Sequence, residues 1–476
     1  MKTGGEKPTT PGLPSRRRSA VGVALACCAF ALVLVASGTP AAPPFRTLLI
    51  RHVARDTTTA PGFQHATVVE PSIAAGRGGE LVTVFQSGRS MHRGAAATGF
   101  ATSRDGGKRW EQGVFQPILQ AGTPPAAPVA VNDAIVSYDW VHGTWLVTST
   151  AEFGNGSRTL QVHRSNDGIH WSTPGEVARG MIDHPWLACD RGAASSFRGR
   201  CYVAFARQDQ QRLGVRWTTD GGATWSAETA IPSALGQPTA AFPVVRPDGR
   251  LVIVFRQGGG QQVSGARAPF TYSAVASVDG GRTFASPTRI AIVRPYFHPH
   301  FRGFPALVPS VAVGARGRVY AAWHSCRYRP GCRGNDIVIS QSTTGARWTR
   351  PKRVPLDGRD HVIPGLAIAP ASSGHPARLG LAYYTISSDR CRSSGCRITP
   401  YFISSSNGGR TWSGSIRLHA PMRFTWLPQS PSGQSFVADN ISTAFVGTTA
   451  WPAVTVADAP TGNRLRVTVA VARLPR

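Results

Sequence analysis

The chain has 476 residues, 41% of them hydrophobic and only 16% charged, which is ample material for a large folded domain. Its 52 glycines and 37 prolines argue against a mainly helical protein and suit short strands joined by tight turns. The net charge of +28, carried almost wholly by arginine, favours anionic partners, unless it reflects composition alone and is spread over a solvated surface. Since no run of lysine and arginine exceeds three residues, a nucleic-acid partner is not expected.

The first 44 residues have the pattern of a targeting segment. Three arginines at 16–18 precede an apolar run at 20–36, and a Pro/Ala-rich stretch follows at 39–44. This order is typical of a secretory signal, although the run is also just long enough for an uncleaved membrane anchor. We therefore expect a secreted or extracytoplasmic protein, with a protein anchored to a membrane through residues 20–36 alone as the alternative.

Six cysteines outside the apolar run fall into three close pairs, which suits an exported chain with disulfides. Each pair brackets a short loop, so we prefer local pairing. The alternative, a metal site, lacks the usual ligand spacing with a matching partner nearby, and we expect neither a metal nor another cofactor. The predicted disulfides are Cys189–Cys201, Cys326–Cys332 and Cys391–Cys396.

One octet, SRDGGKRW at 103–110, recurs five more times at intervals of about 60 residues. Such a period indicates a repeat architecture. The fifth copy is degenerate and has Thr344 where the others have Asp, and the sixth has Asn407. The other copies are SNDGIHW, TTDGGATW, SVDGGRTF, STTGARW and SSNGGRTW, ending at Trp171, Trp225, Phe284, Trp348 and Trp412.

Seven hairpin-like pairs of apolar strands run out of step with the six octets. Each pair, followed by a third strand, an octet and a fourth strand, makes a four-stranded antiparallel unit, and such units repeated in a circle form a β-propeller. The last unit lacks a fourth strand, which residues 46–54 can supply from the other chain end. The sequence predicts an all-β, seven-bladed propeller over residues 45–476, with six blades as the alternative. The hairpins lie at 68–86, 130–150, 183–207, 239–257, 305–325, 361–385 and 437–457.

The octets resemble the Asp box, also called the BNR repeat, of pattern Ser-x-Asp-x-Gly-x-Thr-Trp. That motif occurs in sialidases and in other propellers, so the chain from about residue 46 looks like an exported sialidase-family protein. The motif is specific for the fold and leaves the activity open.

We interpret the octet as structural. Its acidic side chain can accept bonds from backbone N–H groups a few residues on, and its glycines tolerate positive φ. Six widely spaced copies cannot converge on one substrate. The residues given this structural role are Asp105, Asp167, Asp220, Asp279 and Asn407.

Ligands of propellers bind at one end of the central channel, on loops that enter the first strand or join the second strand to the third. The entry loops carry Glu70, Asp133, Asp183 with His184, Arg302, Asp360 with His361, and Asp439 with Asn440. The other loops carry Arg89, Glu152, Arg207 with Asp209, Arg256, His324 with Arg327, and Asp389 with Arg390. Several guanidinium groups around one funnel would make an anion site, unless they pair with neighbouring carboxylates. The predicted anion-binding residues are Arg207, Arg256, Arg302, Arg327 and Arg390.

The resemblance to sialidases implies three arginines on a substrate carboxylate, a Tyr nucleophile with a Glu partner, and an Asp acid/base. Tyr296 is the best-placed tyrosine, Glu152 the best-placed partner, and Asp133 or Asp183 the candidate acid. The family's Arg-Ile-Pro near the first blade is absent, and the last tyrosine, Tyr401, lies in a third strand. Two histidines in the segment YFHPHF, at 298 and 300, are interpreted as part of an aromatic loop rather than as metal ligands.

These patterns are compatible with three functions, and a monomer is expected. The first is a sialidase-like glycoside hydrolase that acts on acidic glycans outside the cell. The second is a non-catalytic propeller that binds a glycan, a protein or a cell-envelope polyanion through its funnel. The third is a structural or assembly factor at the envelope surface, and the first two are favoured.

Overall fold

The computed structural model describes Met1 and residues 49–115, 128–259, 269–302, 308–370, 376–387, 391 and 394–475. Residues 1–40 and 41–476 are separate compact units, and all the described strands belong to the second. The apolar run at 20–36 lies outside the described residues, so the targeting segment and the boundary at residue 44 stay predictions. Within the described part of the chain, no helix is long and apolar enough to cross a membrane.

The described strands form groups of four, which we call repeats 1 to 7, each antiparallel and ordered along the chain. Repeat 1 contains β2 (Phe63–Ala75), β3 (Leu81–Ser90), β4 (Ala95–Ser103) and β5 (Glu111–Val114). Repeat 2 contains β6 (Ala130–Asp139), β7 (Thr144–Glu152), β8 (Arg158–Ser165) and β9 (Gly175–Gly180). Repeat 3 contains β10 (Ile182–Cys189), β11 (Cys201–Arg207), β12 (Arg212–Thr218) and β13 (Thr229–Ile231).

Repeats 4 to 6 have the same composition. Repeat 4 contains β14 (Thr239–Val245), β15 (Leu251–Gln257), β16 (Phe270–Ser277) and β17 (Thr288–Val293). Repeat 5 contains β18 (Ser310–Val313), β19 (Val319–Ser325), β20 (Asp336–Ser342) and β21 (Lys352–Arg353). Repeat 6 contains β22 (Asp360–Ile368), β23 (Leu379–Ile386), β24 (Arg397–Ser405) and β25 (Ile416–Arg417), and the short β26 (Met422–Arg423) also pairs with β24. Three single turns of 3₁₀ helix lie at Arg77–Gly79, Pro330–Cys332 and Phe424–Trp426.

Repeat 7 is built from both ends of the described chain. It contains β27 (Ser442–Val446), β28 (Thr449–Ala457), β29 (Val467–Arg473) and β1 (Leu49–His52). Strand β1 pairs antiparallel with β29, with Leu49 opposite Arg473. The fourth strand that the sequence lacked after residue 474 is therefore supplied by residues 49–52.

The core lies between neighbouring repeats. Second strands are apolar along their whole length because both faces are covered: Leu251 to Phe255 of β15 are all fully buried. A hydrophobic cluster extends from Ile135 in repeat 2 to Val338 in repeat 5 without a break. This two-sided burial explains why the sequence shows continuous apolar runs here rather than alternation. The prediction of an all-β chain of four-stranded antiparallel sheets is confirmed.

The octets close the turns between third and fourth strands. In the first copy, Asp105 Oδ1 accepts bonds from the backbone N–H groups of Lys108 and Arg109, both at 3.0 Å, and Ser103 Oγ accepts one from Gly107 at 2.8 Å. Gly107 has φ +81°, a conformation that favours glycine. The same bonds recur at Asp167, Asp220, Asp279 and Asn407, and Thr344 makes weaker ones at 3.2 Å.

The three disulfides join the pairs that local pairing predicted. Cys189 bonds Cys201, Cys326 bonds Cys332, and Cys391 bonds Cys396. The first links β10 to β11 within a repeat, and the other two brace loops that follow second strands.

Candidate functional site

A bulge in the first strand of five repeats turns one side chain out of the regular register. The pairing with the second strand shifts at this point, and the displaced residue has positive φ although it is not glycine. Such strained positions persist where the surrounding fold over-determines them, and they cluster at functional sites. The displaced residues are Glu70, Asp133, His184, Ala240 and Ile363.

Glu70 and Asp133 hold their protons unusually strongly. Desolvation by burial, reinforced by the Asp439 carboxylate, raises the pKa of Glu70 to about 8, although Arg89 opposes the shift. Desolvation also raises the pKa of Asp133, against the lowering effect of the nearby His184. Two adjacent first strands therefore carry carboxyl groups whose pKa values are raised above the ordinary range.

Asp183 has the opposite character. Desolvation would raise its pKa, but His184 and Arg158 outweigh that effect and hold the pKa well below its ordinary value. His184 Nδ1 lies 2.8 Å from Asp183 Oδ2, and Arg158 Nη1 lies 2.6 Å from Asp183 Oδ1. Desolvation lowers the pKa of His184, but Asp183 and Asp133 outweigh it and raise that pKa to about 10. An ionised carboxylate therefore lies beside two cations and near Asp133, whose pKa is shifted in the opposite direction.

Glu152 shares the partner Arg158 with Asp183 and is already paired. Arg158 Nη2 and Arg93 Nη1 each lie 3.1 Å from its carboxylate, and Asn132 Nδ2 donates to it at 3.2 Å. Its predicted partner, Tyr296, lies half-buried between β17 and β18, with its backbone amide and carbonyl bonded to the Asn335 side chain. The structure thus brings Glu152, Asp133 and Asp183 together around Arg158, and the role of Tyr296 stays a prediction.

Two arginines that are more than 200 residues apart in the sequence lie over one phenylalanine. The guanidinium carbons of Arg89 and Arg302 are 4.6 and 4.8 Å from the centroid of the Phe436 ring. Arg89 is buried and donates to Gln86 Oε1 and the Gly94 carbonyl, both at 2.7 Å. Arg302 is only partly buried, so it is the arginine of this pair that a ligand can reach.

The other predicted anion-binding arginines are placed differently. Arg207 forms a forked ion pair with Glu228, with Nη2 at 2.5 Å and Nε at 2.9 Å. This is the pairing with a neighbouring carboxylate that the sequence left open, with Glu228 rather than Asp209 as the partner. Arg256 lies 4.9 Å from the Phe270 centroid, and Arg327 is exposed. Arg390 lies outside the described residues, and the anion-binding role of all four stays a prediction.

Three buried polar atoms near these carboxyl groups have no hydrogen-bond partner among the residues that the structure describes. They are His184 Nε2, Asp439 Oδ1 and Asn440 Nδ2. Asp439 and Asn440 are each only 8% exposed, and the charge of Asp439 acts on both Glu70 and His184. Buried polar groups are nearly always hydrogen-bonded, so an unpaired acceptor and two donors in one place favour a polar ligand. We call the group formed by Glu70, Asp133, Asp183, His184 and Asp439 the acidic cluster.

Two of the histidines named above have different surroundings. His298 Nε2 lies 3.7 Å from Cys391 Sγ, but that sulfur is bonded to Cys396 and cannot act as a thiolate ligand. Burial lowers the pKa of His324 to about 3, so this imidazole is neutral at physiological pH.

The sequence did not single out Arg158, Arg93 or Phe436. Arg158 is the first residue of a third strand, directly opposite Glu152 in the register. The predicted site residues came from loops that enter first strands or follow second strands, and these loops stop short of the third strand. Arg158 could have been found in the sequence as the arginine that begins a third strand and faces the acidic residue that ends the second strand.

Three solved structures show how distant the known relatives are. The α-L-arabinofuranosidase Arb93A from Fusarium graminearum is 15% identical, over 71% of this chain and 92% of that one, with a TM-score of 0.44. The Hadza microbial sialidase Hz136 is 15% identical, over 87% and 68%, with a TM-score of 0.45. Trypanosoma rangeli sialidase in complex with the inhibitor DANA is 10% identical, over 89% and 59%, with a TM-score of 0.41. Likenesses this weak leave the activity to be argued from the residues.

A family model, in contrast, matches the chain directly. No curated protein matches the sequence significantly. The model described as a BNR repeat-like domain matches residues 53–291, half of the chain, and includes the first four octets. This match confirms the sialidase-like repeat family that the octets predicted. The chain belongs to the BNR repeat-like family.

Proposed function

We propose that this protein is an exported sialidase-like propeller that binds acidic glycans at the acidic cluster and hydrolyses them there. The observation that carries the proposal is the pair of opposed carboxyl environments. Burial raises the pKa of Glu70 to about 8, while His184 and Arg158 hold the pKa of Asp183 low. Carboxyls of one site whose pKa values are pushed apart can supply the acid and the anion that glycoside hydrolysis needs.

The proposal includes a ring of seven blades, one for each repeat. Hydrogen bonds between first strands support this order: Ser72 Oγ accepts from the Val136 amide, Ser310 Oγ from Leu366, and Ser442 Oγ from Ile73. The last bond joins repeat 7 to repeat 1. A ring of six blades could not include all seven repeats.

We assign Glu70 as the general acid, because at neutral pH it still carries the proton that a leaving glycosidic oxygen requires. Asp133, whose pKa is also raised, lies beside it and can hold a second proton. Asp183 stays ionised and stabilises the positive charge that develops on the sugar ring. His184 Nε2, Asp439 Oδ1 and Asn440 Nδ2 would hydrogen-bond sugar hydroxyl groups.

Recognition of an acidic sugar is assigned to Arg302. The guanidinium groups of Arg302 and Arg89 both lie over the Phe436 ring, so two positive charges are close together there. The net charge of +28 would raise the local concentration of polyanionic glycans and speed their encounter. Three disulfides suit the oxidising compartment to which such a protein would be exported.

A non-catalytic glycan-binding propeller is the second candidate, and a specific contact favours it. Glu152, which should activate a tyrosine in a sialidase, is neutralised by Arg93 and Arg158. A carboxylate held by two guanidinium groups is already occupied and has no contact with a tyrosine among the described hydrogen bonds. On this alternative the acidic cluster would bind a glycan without cleaving it.

The test is turnover of a fluorogenic sialoside by the wild type and by Asp183→Asn, with Asp220→Asn in a distant octet as the matched control. We expect turnover by the wild type and by Asp220→Asn, and a loss of at least about 100-fold in Asp183→Asn. Saturable binding of a sialylated oligosaccharide without turnover would rule out the hydrolase and support the non-catalytic glycan-binding propeller. Equal turnover by all three proteins would overturn the assignment of the site.

A further inference from the structure

A cavity of about 660 Å³ lies at the far end of the channel from the acidic cluster. In an antiparallel repeat the first and third strands run in the same direction, so first strands end on the side where the octets lie. The cavity is lined by residues at and just beyond those ends, including Gly76 after β2, Trp140 after β6 and Gly447 after β27. All seven first strands or their continuations contribute to its wall. It is therefore separate from the site assigned above.

Arg191 is the only charged side chain among the described residues that line this cavity. It lies two residues after β10, with its guanidinium carbon 5.7 Å from the centroid of the Trp140 ring. The side chain is accessible to water, yet the protein around it desolvates it and lowers its pKa. No ion pair within the described part of the chain involves Arg191. A cation without a counter-charge at the wall of an open cavity favours an anion as ligand.

The rest of the wall is apolar or already hydrogen-bonded. Trp186 and Phe242 stack with ring centroids 4.1 Å apart, on two adjacent first strands. The hydroxyl groups of Ser72, Ser310 and Ser442 are engaged by backbone amides of neighbouring first strands. Few free polar groups are left for a polyhydroxylated sugar. A cavity of this volume, with one charged side chain in a mainly apolar wall, fits a small amphipathic molecule.

We propose that the octet end of the channel is a second binding site, which takes a small monocarboxylate with an apolar ring or chain. The carboxylate would pair with Arg191 and the apolar part would lie against Trp140 and the aliphatic wall. This site does not depend on the proposed glycan chemistry. It holds whether the acidic cluster is catalytic or only binds.

The test uses benzoate as the probe and benzamide as its neutral isostere, with binding followed by ligand-observed NMR on the purified protein. We expect benzoate to bind at least about tenfold more tightly than benzamide, because a charge-assisted pair with a guanidinium is worth more than a neutral bond. Arg191→Gln should remove that preference, and Arg191→Lys should keep part of it. Arg289→Gln, a change at an exposed outer-strand arginine, is the matched control and should bind benzoate as the wild type does.

Three results would overturn the proposal. The first is no saturable benzoate binding in the millimolar range. The second is equal binding of benzoate and benzamide by the wild type. The third is benzoate binding that survives Arg191→Gln but is lost in Arg302→Gln, which would place the anion at the glycan site instead. Melting temperatures of all variants would show whether each is folded.

Discussion

At the scale of single residues, the acidic cluster owes its character to what surrounds each carboxyl rather than to the carboxyls themselves. Glu70 is 3% exposed and faces the charge of Asp439, so ionising it is costly. Asp183 is also largely buried but is bonded to Arg158 and His184, and for it ionisation is favourable. The pKa values of two carboxyl groups in one cluster are thereby shifted in opposite directions.

The first prediction concerns the proton of Glu70. If Glu70 is the general acid, turnover by the wild type should fall as the pH rises through about 8, where this carboxyl loses its proton. Glu70→Gln keeps the shape and donates no proton, so kcat should drop by about 100-fold and the fall near pH 8 should disappear. A pH–rate profile of both proteins measures this. An unchanged profile in the variant would assign the acid elsewhere.

The second prediction concerns the charge on His184. Its pKa is raised from an ordinary value near 6.5 to about 10, so its stabilising effect is complete below pH 6.5 and is lost as the pH rises through 10. His184→Asn should lower the free energy of unfolding by about 3 kcal/mol at pH 6, since it leaves Asp183 with one cation fewer. At pH 10 the difference from the wild type should be much smaller.

Denaturant unfolding at several pH values checks this difference. The contribution of Glu70 to the free energy of unfolding also falls as the pH rises, because its pKa is raised in the folded protein. This contribution is the same in the wild type and in the variant, so it cancels when the two are compared. The control is Gln208→Ala, which removes an uncharged donor to Asp183 at 2.7 Å. Its effect should be smaller and independent of pH, and a pH-independent effect of His184→Asn would contradict the assignment of charge.

At the scale of elements, the octet is a turn whose acceptor need not be an acid. Asn407 accepts from Arg410 at 3.1 Å and from Thr411 at 2.9 Å, as Asp279 does from Arg282 and Thr283. The carboxylate charge is therefore incidental to the turn. What the octet needs is an oxygen at this position and glycines that adopt positive φ.

The third prediction rests on this equivalence. Asp279→Ala should lower the free energy of unfolding by about 1–2 kcal/mol, because two backbone N–H groups lose their acceptor. Asp279→Asn should cost much less, and neither change should alter ligand binding. Thermal unfolding and glycan binding of both variants measure the two effects. Lost binding with an unchanged melting temperature would give the octet a functional role.

The elements were predictable from the sequence because they repeat. Glycine-rich turns between apolar strands predicted the hairpins, and the octets predicted the third-to-fourth strand turns. The acidic cluster was only partly predictable. Asp133 and Asp183 were found by their expected place near the start of first strands, but their grouping around Arg158 depends on register and on the bulge at Asp133. Neither has a local signature in a single sequence.

At the scale of the whole folded unit, the fold depends on the chain ends meeting in repeat 7. Strand β1 has only four residues, yet it covers the edge of β29 that would otherwise be open. Ile50 lies opposite Ala472 and packs on the hydrophobic cluster shared by repeats 6 and 7. This short pairing therefore holds together parts of the sequence that are more than 400 residues apart.

The fourth prediction tests that pairing. Ile50→Pro removes a backbone donor and a partly buried side chain from β1, so it should lower the free energy of unfolding by at least about 2 kcal/mol. Arg51→Ala, at the exposed neighbouring position, is the matched control and should change stability little. Chemical denaturation measures both. An unaffected Ile50→Pro variant would mean that β1 is dispensable for the fold.

The central claim is that function resides at the acidic cluster and that the octets are structural. The most direct measurement is a crystal structure of the protein with a bound sialylated oligosaccharide. We predict that the sugar lies within hydrogen-bond distance of His184 Nε2, Asp439 Oδ1 and Asn440 Nδ2, with its carboxylate on Arg302. A sugar bound at an octet or on the outer strands, with these three atoms still unpaired, would contradict the claim.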